Sequence, residues 1–436
     1  MSMVKALNRN ILAGTLFLFL LTNISSASAQ LKADKGSINI SGIDLQNSAP
    51  LELNGEWEFY WNQLLTIEDF RNNNNNNNIV PDYLQVPLVW NDQQTVARTK
   101  LTGNGYATYR LQIIKDENQD VLSLYIPNIY TSYALYVNEE LIAENGQVGT
   151  IKAESYAQWK PQIKVFETTE PKIDLILHVS NFYHNRGGIH KPLKLGSYES
   201  VIHQNATIVI SNILLFGGLL ILGAFFIGFF FIRQGQRATL FFGLLCLLWG
   251  IRSLFSNSYL ITSIFPDVSW NFAIRIEYIS LYLSMLFGML FITHVYIPNR
   301  RPLIKYIILT INYCFIALTI LLPPLYFTKL LPAYQLFIAL NFVFAIIVTG
   351  LAIHHRQKEA WFSATAILLG VMLFTYELTT YNFVESVNYI YLNLGYLVVF
   401  FLNSLVLASH FVSAYRQIHV LEKEKTSSFE RRLRST

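Results

Sequence analysis

Hydrophobic residues follow two different rhythms along this chain. Between residues 206 and 412 they form seven long runs, at 206–232, 238–257, 272–297, 304–322, 333–353, 360–382 and 389–412. Each approaches or exceeds the ~20 residues a helix needs to cross a hydrocarbon core, and residues 213–232 carry no charge. A backbone in lipid must satisfy its own N–H and C=O groups, so these runs predict spanning helices rather than strands. A buried soluble core accommodates one or two such helices, not seven in series. Upstream, from residue 30 to about 200, apolar residues alternate or cluster in short runs at 107–114, 121–126, 132–137 and 173–179. Turn residues such as Asn128, Asn138, Gly146 and Asn181 separate them. That second rhythm predicts a β-sandwich.

The polar breaks orient the helical block. The breaks after the first, third and fifth runs hold Arg233 and Arg237; Arg300, Arg301 and Lys305; and Arg356 and Lys358. Those after the second, fourth and sixth hold Lys329 alone. Basic loops stay in the cytoplasm, so the β region is expected outside and the C-terminus inside.

Composition refines this picture without changing it. The 436 residues are 52% hydrophobic and 14% charged, with a formal charge of +4, intermediate between a soluble and a purely membrane protein. The small positive excess sits largely in the inner loops and tail, so it suits orientation better than nucleic acid. Both cysteines, Cys246 and Cys314, fall within spans, so no disulfide framework staples the β region. Residues 1–29 read as a secretory signal. Lys5 and Arg9 precede an apolar stretch at 11–21, and Ala27-Ser28-Ala29 is a small-x-small cleavage site. An uncleaved eighth helix is the alternative, and either one exports the β region. The asparagine run 72–78 is expected to be a surface loop. The expected architecture is a multi-domain membrane protein: an all-β jelly-roll or sandwich ectodomain (30–200), a seven-helix transmembrane bundle (206–412) and a cytoplasmic segment (413–436).

Residues 53–59, Leu-Asn-Gly-Glu-Trp-Glu-Phe, resemble the opening strand of the jelly-roll sugar-binding domains that precede the catalytic part of β-galactosidase-like glycoside hydrolases. Similar elements occur in order at 86–90, 105–110, 135–138, Gly146 and 177–181. Behind an export signal and ahead of seven spans, the region resembles the extracellular module of the bacterial 7TMR-DISM family, seven-transmembrane receptors with diverse intracellular signalling modules. Residues 247–255 and 275–280 resemble that family's membrane block. The resemblance implies a carbohydrate-binding-like periplasmic sensor domain and a cytoplasmic kinase, cyclase or phosphatase module. No such module lies before Thr436, so the chain is a fragment or works through a separate protein.

Sites for chemistry are sparse. The chain carries no GxSxG, P-loop, HExxH or Cys/His metal spacing, so no catalytic residue, metal or cofactor is expected. The β region is rich in ligand-type aromatics: Trp57, Trp61, Trp90, Tyr106, Tyr130, Tyr156, Trp159 and Tyr183. Aromatic faces suit sugar rings, and arginine suits carboxylate or phosphate. Residues 181–190 form a polar, turn-rich stretch after a strand. Here His184, Asn185, Arg186 and His190, with Trp159 and Tyr156, are candidate ligand contacts, and Gly187 and Gly188 would let backbone approach. The alternatives are that the aromatics are core, that the stretch is an ordinary loop, or that it packs on the membrane block. Within the spans, Arg252, Arg275, Glu277 and Glu377 fall at one depth near the β-region side. Intramembrane charges are costly and demand partners, so arginine–glutamate pairs coupling the sandwich to the helices are expected, with static snorkelling as the alternative. His294, His354, His355 and His410 fall near the opposite face. Pro323 and Pro324 close the fourth run.

Residues 413–436 are highly charged, lack Gly and Pro, and carry a weak apolar seam at Ile418, Leu421, Phe429 and Leu433. They are expected to extend the last span into a coiled-coil start, or to lie on anionic lipid. Together these features read as a bacterial inner-membrane receptor, acting as a homodimer embedded in membrane lipid. It would bind a small ligand, a sugar or carboxylated metabolite, and act on a cytoplasmic signalling partner. The rivals are a transporter or channel with an accessory lectin-like domain, which predicts a polar path through the bilayer, and a membrane enzyme.

Overall fold

The computed structural model describes residues 31–71, 80–95, 100–117, 120–232, 236–256, 258–297, 303–383 and 388–435, with side chains described through Val412 but not for 381–383. The signal segment 1–29, the asparagine run 72–78, Arg233, Arg300 and Arg301 lie outside the described residues.

Among the described residues, the short alternating runs form eleven strands in two sheets. They are β1 (Ser37–Asn39), β2 (Leu51–Glu52), β3 (Gly55–Trp61), β4 (Asp82–Val86), β5 (Gly105–Ile114), β6 (Val121–Ile126), β7 (Ser132–Val137), β8 (Glu140–Asn145), β9 (Gln162–Glu167), β10 (Lys172–Asn181) and β11 (Lys194–Gly196). One sheet runs β4-β3-β5-β10-β7-β8, with β1 added in parallel to β5; the other runs β2-β11-β6-β9. β10 is the central strand, pairing Leu177 with Tyr109 on one side and with Leu135 on the other. Its alternating residues Ile173, Leu175, Leu177 and Val179 are buried in the core of the sandwich.

Between the sheets, Trp57, Phe59, Trp90, Tyr109, Leu124 and Leu177 are fully buried. Large apolar side chains gain roughly 1.5–3 kcal/mol each on full burial, so this cluster stabilises a domain that lacks disulfides.

The long apolar runs form seven helices, each long and apolar enough to cross a membrane. They are α1 (Tyr198–Ile232), α2 (Arg237–Phe255), α3 (Trp270–Tyr296), α4 (Leu303–Leu321), α5 (Leu331–His354), α6 (Ala360–Phe383) and α7 (Tyr389–Ser435). The first helix starts at Tyr198, earlier than the predicted 206. Its polar first turns are held by the cap at Ser197, whose Oγ accepts from the Ser200 amide at 3.2 Å. Only Ser197 separates β11 from α1. Pro323 and Pro324 start a short helical turn at 324–327 that leads into α5, where a proline is tolerated because its missing N–H has no helical partner. Helices α1 and α2 approach closely where glycine faces glycine: a Cβ on Gly223 would meet the Gly243 carbonyl oxygen at 2.9 Å. Close backbone approach at small residues is a common packing mode in membranes.

α7 is one helix of 47 residues, about 70 Å long at 1.5 Å per residue. It continues the seventh span through 413–435 without a break.

Candidate functional site: a shaft at the seam of sandwich and bundle

The stretch after β10 is shaped by Asn181. Its side-chain amide donates to the carbonyls of Gly103, His184 and Arg186 at 2.7–2.9 Å, and its oxygen accepts from the Tyr183 and His184 amides. Gly187 and Gly188 let the chain press against the sandwich: a Cβ on Gly187 would meet the Trp90 ring at 2.4 Å, and Gly188 has φ +91°. The close approach predicted for a ligand is therefore made to Trp90.

The folded stretch docks on the helices. Its Asn185 amide donates to Thr328 Oγ1 at 3.2 Å, and Tyr183 packs against Trp270 with ring centroids 6.1 Å apart. Trp159 stands at the centre of the seam, 4.9 Å from the Tyr259 ring, 5.4 Å from Trp270 and 5.5 Å from Tyr130. Tyr130 is sandwiched by His184 at 4.3 Å and His190 at 4.2 Å. Both histidines are neutral at ordinary pH. Burial pushes His184 down to about 3, the Arg186 carbonyl bond opposing it. Burial and the neighbouring Lys191 charge hold His190 well below its usual value.

Below this seam a cavity of about 390 Å³ enters the bundle, within the 300–1,000 Å³ typical of small-molecule pockets. At the sandwich end it is lined by Tyr130, Trp159, His184, Arg186, His190 and Lys191. Next come Arg252, Ser258, Tyr259, Glu277, Glu377, Tyr389 and Tyr396. Further along, the lining becomes mainly apolar, with Met285, Phe291, Ile292, Phe342, Ile367 and Phe400, interrupted by Ser284, Asn341 and Asn403.

The predicted site residues separate into those that meet at this cavity and those that do not. His184, Arg186, His190 and Trp159 line it; Asn185 is engaged with Thr328, and Tyr156 is 56% exposed on a backbone ladder with Gln147. Arg252, Glu277 and Glu377 line it, but Arg275 does not. Arg275 instead donates to the carbonyls of Thr319, Ile320 and Leu322 at the end of α4, where a cation offsets the helix dipole. The expected arginine–carboxylate pairs also take another form. Arg252 Nη1 donates at 2.8 Å to the backbone carbonyl of Glu277. Each carboxylate instead accepts a tyrosine hydroxyl, Glu277 from Tyr259 at 2.9 Å and Glu377 from Tyr396 at 2.7 Å. Of the ligand-type aromatics, Trp57 and Trp90 are sandwich core and Trp61 packs against that core. The far-side His410 comes within 3.6 Å of Glu359.

Sequence reasoning passed over Lys191. Its Nζ lies 5.5 Å from the Tyr389 ring centroid. Burial draws its ammonium below the ordinary lysine value, while Tyr125, Glu277 and Glu377 act in the opposite direction. One signal pointed to it: it directly follows the 181–190 stretch. A second omission was the amide ladder joining α1 to α7. Asn393 Nδ2 donates to Ser211 Oγ at 3.0 Å and Asn212 Oδ1 at 3.1 Å, and Asn212 Nδ2 donates to Ser258 Oγ at 2.9 Å.

Residues 209–410, the whole bundle but for its ends, match the family model described as 7TM diverse intracellular signalling. The membrane block is a 7TMR-DISM domain. A comparison with curated proteins gives no match. Among solved structures, this chain is similar to a β-glucuronidase from an uncultured Clostridium sp. at 18% identity, over 35% of this chain and 30% of that one, with a TM-score of 0.26. It is also similar to Faecalibacterium prausnitzii β-glucuronidase, at 15% identity over 34% and 32% with a TM-score of 0.25. A third is the GH2 β-galacturonidase from Eisenbergiella tayi bound to galacturonate, at 12% over 35% and 26% with a TM-score of 0.24. The chain thus spans about a third or less of the length of these enzymes; the likeness bears on neither ligand nor activity. The family match and the seven apolar helices mark a multi-pass membrane protein.

Proposed function

We propose that the protein is a sensor of the bacterial inner membrane, and that a small molecule entering the seam between sandwich and bundle shifts α7 and so signals to a cytoplasmic effector. One observation carries this reading: α7 lines the cavity with its first turns, through Tyr389, Leu392, Tyr396, Val399, Phe400 and Asn403, and the same unbroken helix continues to Ser435. A ligand drives such a shift only by binding two arrangements with different affinity. Here it would contact the sandwich loops, α3 and α7 at once, so any rearrangement of the seam changes its contacts. The route from head to α7 has two parts, the Asn212–Asn393 ladder from α1 and the Lys191–Tyr389 contact from the sandwich.

In this reading the sandwich faces the periplasm, following the arginine and lysine bias of the loops. In this reading the site binds a ligand, with its two carboxylates positioned by tyrosine hydroxyls, Glu277 by Tyr259 and Glu377 by Tyr396. The effector acts on a dimer whose extended α7 helices pair. The transporter reading draws on the same cavity, but among the described residues the lining turns mainly apolar away from the sandwich.

The test locks the seam. Asn185→Cys with Thr328→Cys, in a chain whose Cys246 and Cys314 are replaced by serine, would staple loop to bundle. Single cysteines placed along 413–435 then report copy-to-copy disulfide formation in membrane vesicles. Stapling is expected to change which positions cross-link, relative to the same reporter chains that keep Asn185 and Thr328. An identical pattern with and without the staple overturns the coupling.

A further inference from the structure

The cavity has a polarity gradient along its length, and that gradient describes an occupant. On α3 the lining runs from Glu277 to Ile292, about 22 Å along the axis at 1.5 Å per residue. This is most of the ~30 Å thickness of a hydrocarbon core. A cavity of about 390 Å³ that reaches this far into the bundle has room for a hydrocarbon chain and is deeper than a monosaccharide requires.

The sandwich end is charged. Arg186 and Lys194 line it but are paired outside it, Arg186 with Asp92 at 3.5 Å and Lys194 with Glu52 at 3.2 Å. Lys191 and Arg252 are the other cations and Glu277 and Glu377 the carboxylates, two of each sign. Part of their hydrogen-bonding capacity is committed to tyrosines and to the Glu277 carbonyl, through Glu277 Oε2, Glu377 Oε2 and Arg252 Nη1. Both carboxylates and Arg252 line the cavity, and in a low-dielectric site a charged group gains strongly from a partner of opposite sign. A purely anionic or purely cationic head would satisfy one sign and leave the balance upset by a full charge. A head that carries both signs satisfies the arginine and the carboxylates together and adds no net charge.

We propose that the shaft binds a zwitterionic single-chain amphiphile, with its phosphate on Arg252 and Lys191, its ammonium on Glu277 and Glu377, and its hydrocarbon chain between α3, α5, α6 and α7. This rests on the receptor reading for its consequence, since an occupant of the shaft lies against α7. It does not rest on that reading for its existence.

The experiment uses the full chain in amphipol and reads binding by native mass spectrometry and thermal shift. The probe is 1-myristoyl-lysophosphatidylethanolamine. Three comparison ligands each lack one part: myristate has no cation, dodecyltrimethylammonium no anion, and phosphoethanolamine no chain. The probe is expected to bind at least ten-fold more tightly than any of the three. Glu277→Gln with Glu377→Gln should reduce that affinity at least ten-fold. Gly288→Leu, which fills open space in the shaft (Gly288 has only Leu245 nearby, at 3.8 Å), should reduce it while leaving the charged end intact. Equal binding of probe and myristate, or of probe and phosphoethanolamine, overturns the proposal. So does absence of probe binding to a chain whose thermal transition shows it folded. None of these results touches the seam-staple test, which fails or succeeds without any ligand; probe binding combined with an unresponsive α7 would instead sink the receptor reading and leave the site standing.

Discussion

Two aromatic clusters lie within one sandwich-and-bundle assembly and do opposite things. Phe59, Trp61, Trp90 and Tyr109 interlock between the sheets, with Phe59 4.9 Å from Tyr109 and Trp61 5.1 Å from Trp90. Tyr130, Trp159, Tyr259 and Trp270 interlock at similar distances across the seam, but these rings come from both domains. The first cluster is surrounded by aliphatic side chains and closes a core. The second is bordered by His184, His190, Lys191 and Glu277 and opens on a cavity. Ring content and spacing do not distinguish them; what packs behind the rings does. An aromatic cluster backed by aliphatics spends its surface on stability, whereas one backed by ionisable groups leaves part of its surface to another molecule.

The sharpest way to break this contrast is to delete one ring from each side. Trp90→Ala should destabilise the sandwich by about 3–5 kcal/mol, the usual cost of removing a large aromatic from a packed core, and should be read as lost yield and a lower thermal transition. Trp159→Ala should leave the isolated sandwich signature intact in near-UV circular dichroism while exposing the seam to limited proteolysis. Equal losses of sandwich structure in the two variants would erase the distinction.

Acid tests the seam more gently. An imidazole held neutral by burial binds no proton in the folded state at pH values where the unfolded chain does. Stability from His184 is therefore complete above the ordinary value near 6.5 and is lost as pH falls toward about 3. His190 acts in the same direction. Where the unfolded imidazole is protonated and the buried one is not, His184 contributes a slope of about 1.4 kcal/mol per pH unit. Thermal unfolding between pH 7.5 and 5.0 should show the decline. His190→Phe, which keeps the stack on Tyr130 and removes a buried Nδ1 that has no hydrogen-bond partner, should make the decline shallower. A slope unchanged in that variant would count against a buried neutral histidine there.

The smallest effect is expected at Tyr156. It is more than half exposed and its ladder bonds are backbone bonds, so Tyr156→Ala should change stability by less than about 0.5 kcal/mol and leave probe binding unaltered. A loss of affinity would extend the site onto the outer face of the sandwich.

The same contrast explains what could be read from the residues alone. Strands and spans are local periodicities, so β6 and β7 coincide with apolar runs visible in the sequence, and so do the centres of all seven helices. Depth in a span is also legible by counting, which is why Arg252, Glu277 and Glu377 group together. Azimuth is not. Arg275 stands two residues from Glu277, about 200° away around the helix, and so faces the end of α4 rather than the cavity. Lys191 reads as a surface lysine because nothing local announces that β11 and α1 will place it over Tyr389. The use of the 181–190 stretch was open for a related reason. Its turn chemistry is local, fixed by Asn181 and two glycines, whereas its partners Thr328 and Trp270 lie more than eighty residues away.

The single residue between β11 and α1 has a consequence of its own. An α-helix turns about 100° per residue, so inserting one residue beside Ser197 would swing the whole sandwich by that angle about the axis of α1. The tryptophan pair at the seam would no longer meet, and the shaft would lose its charged mouth, although every side chain that lines it is still encoded. Backbone length at this junction is thus inherited information in its own right, and an insertion or deletion there would be more damaging than most substitutions.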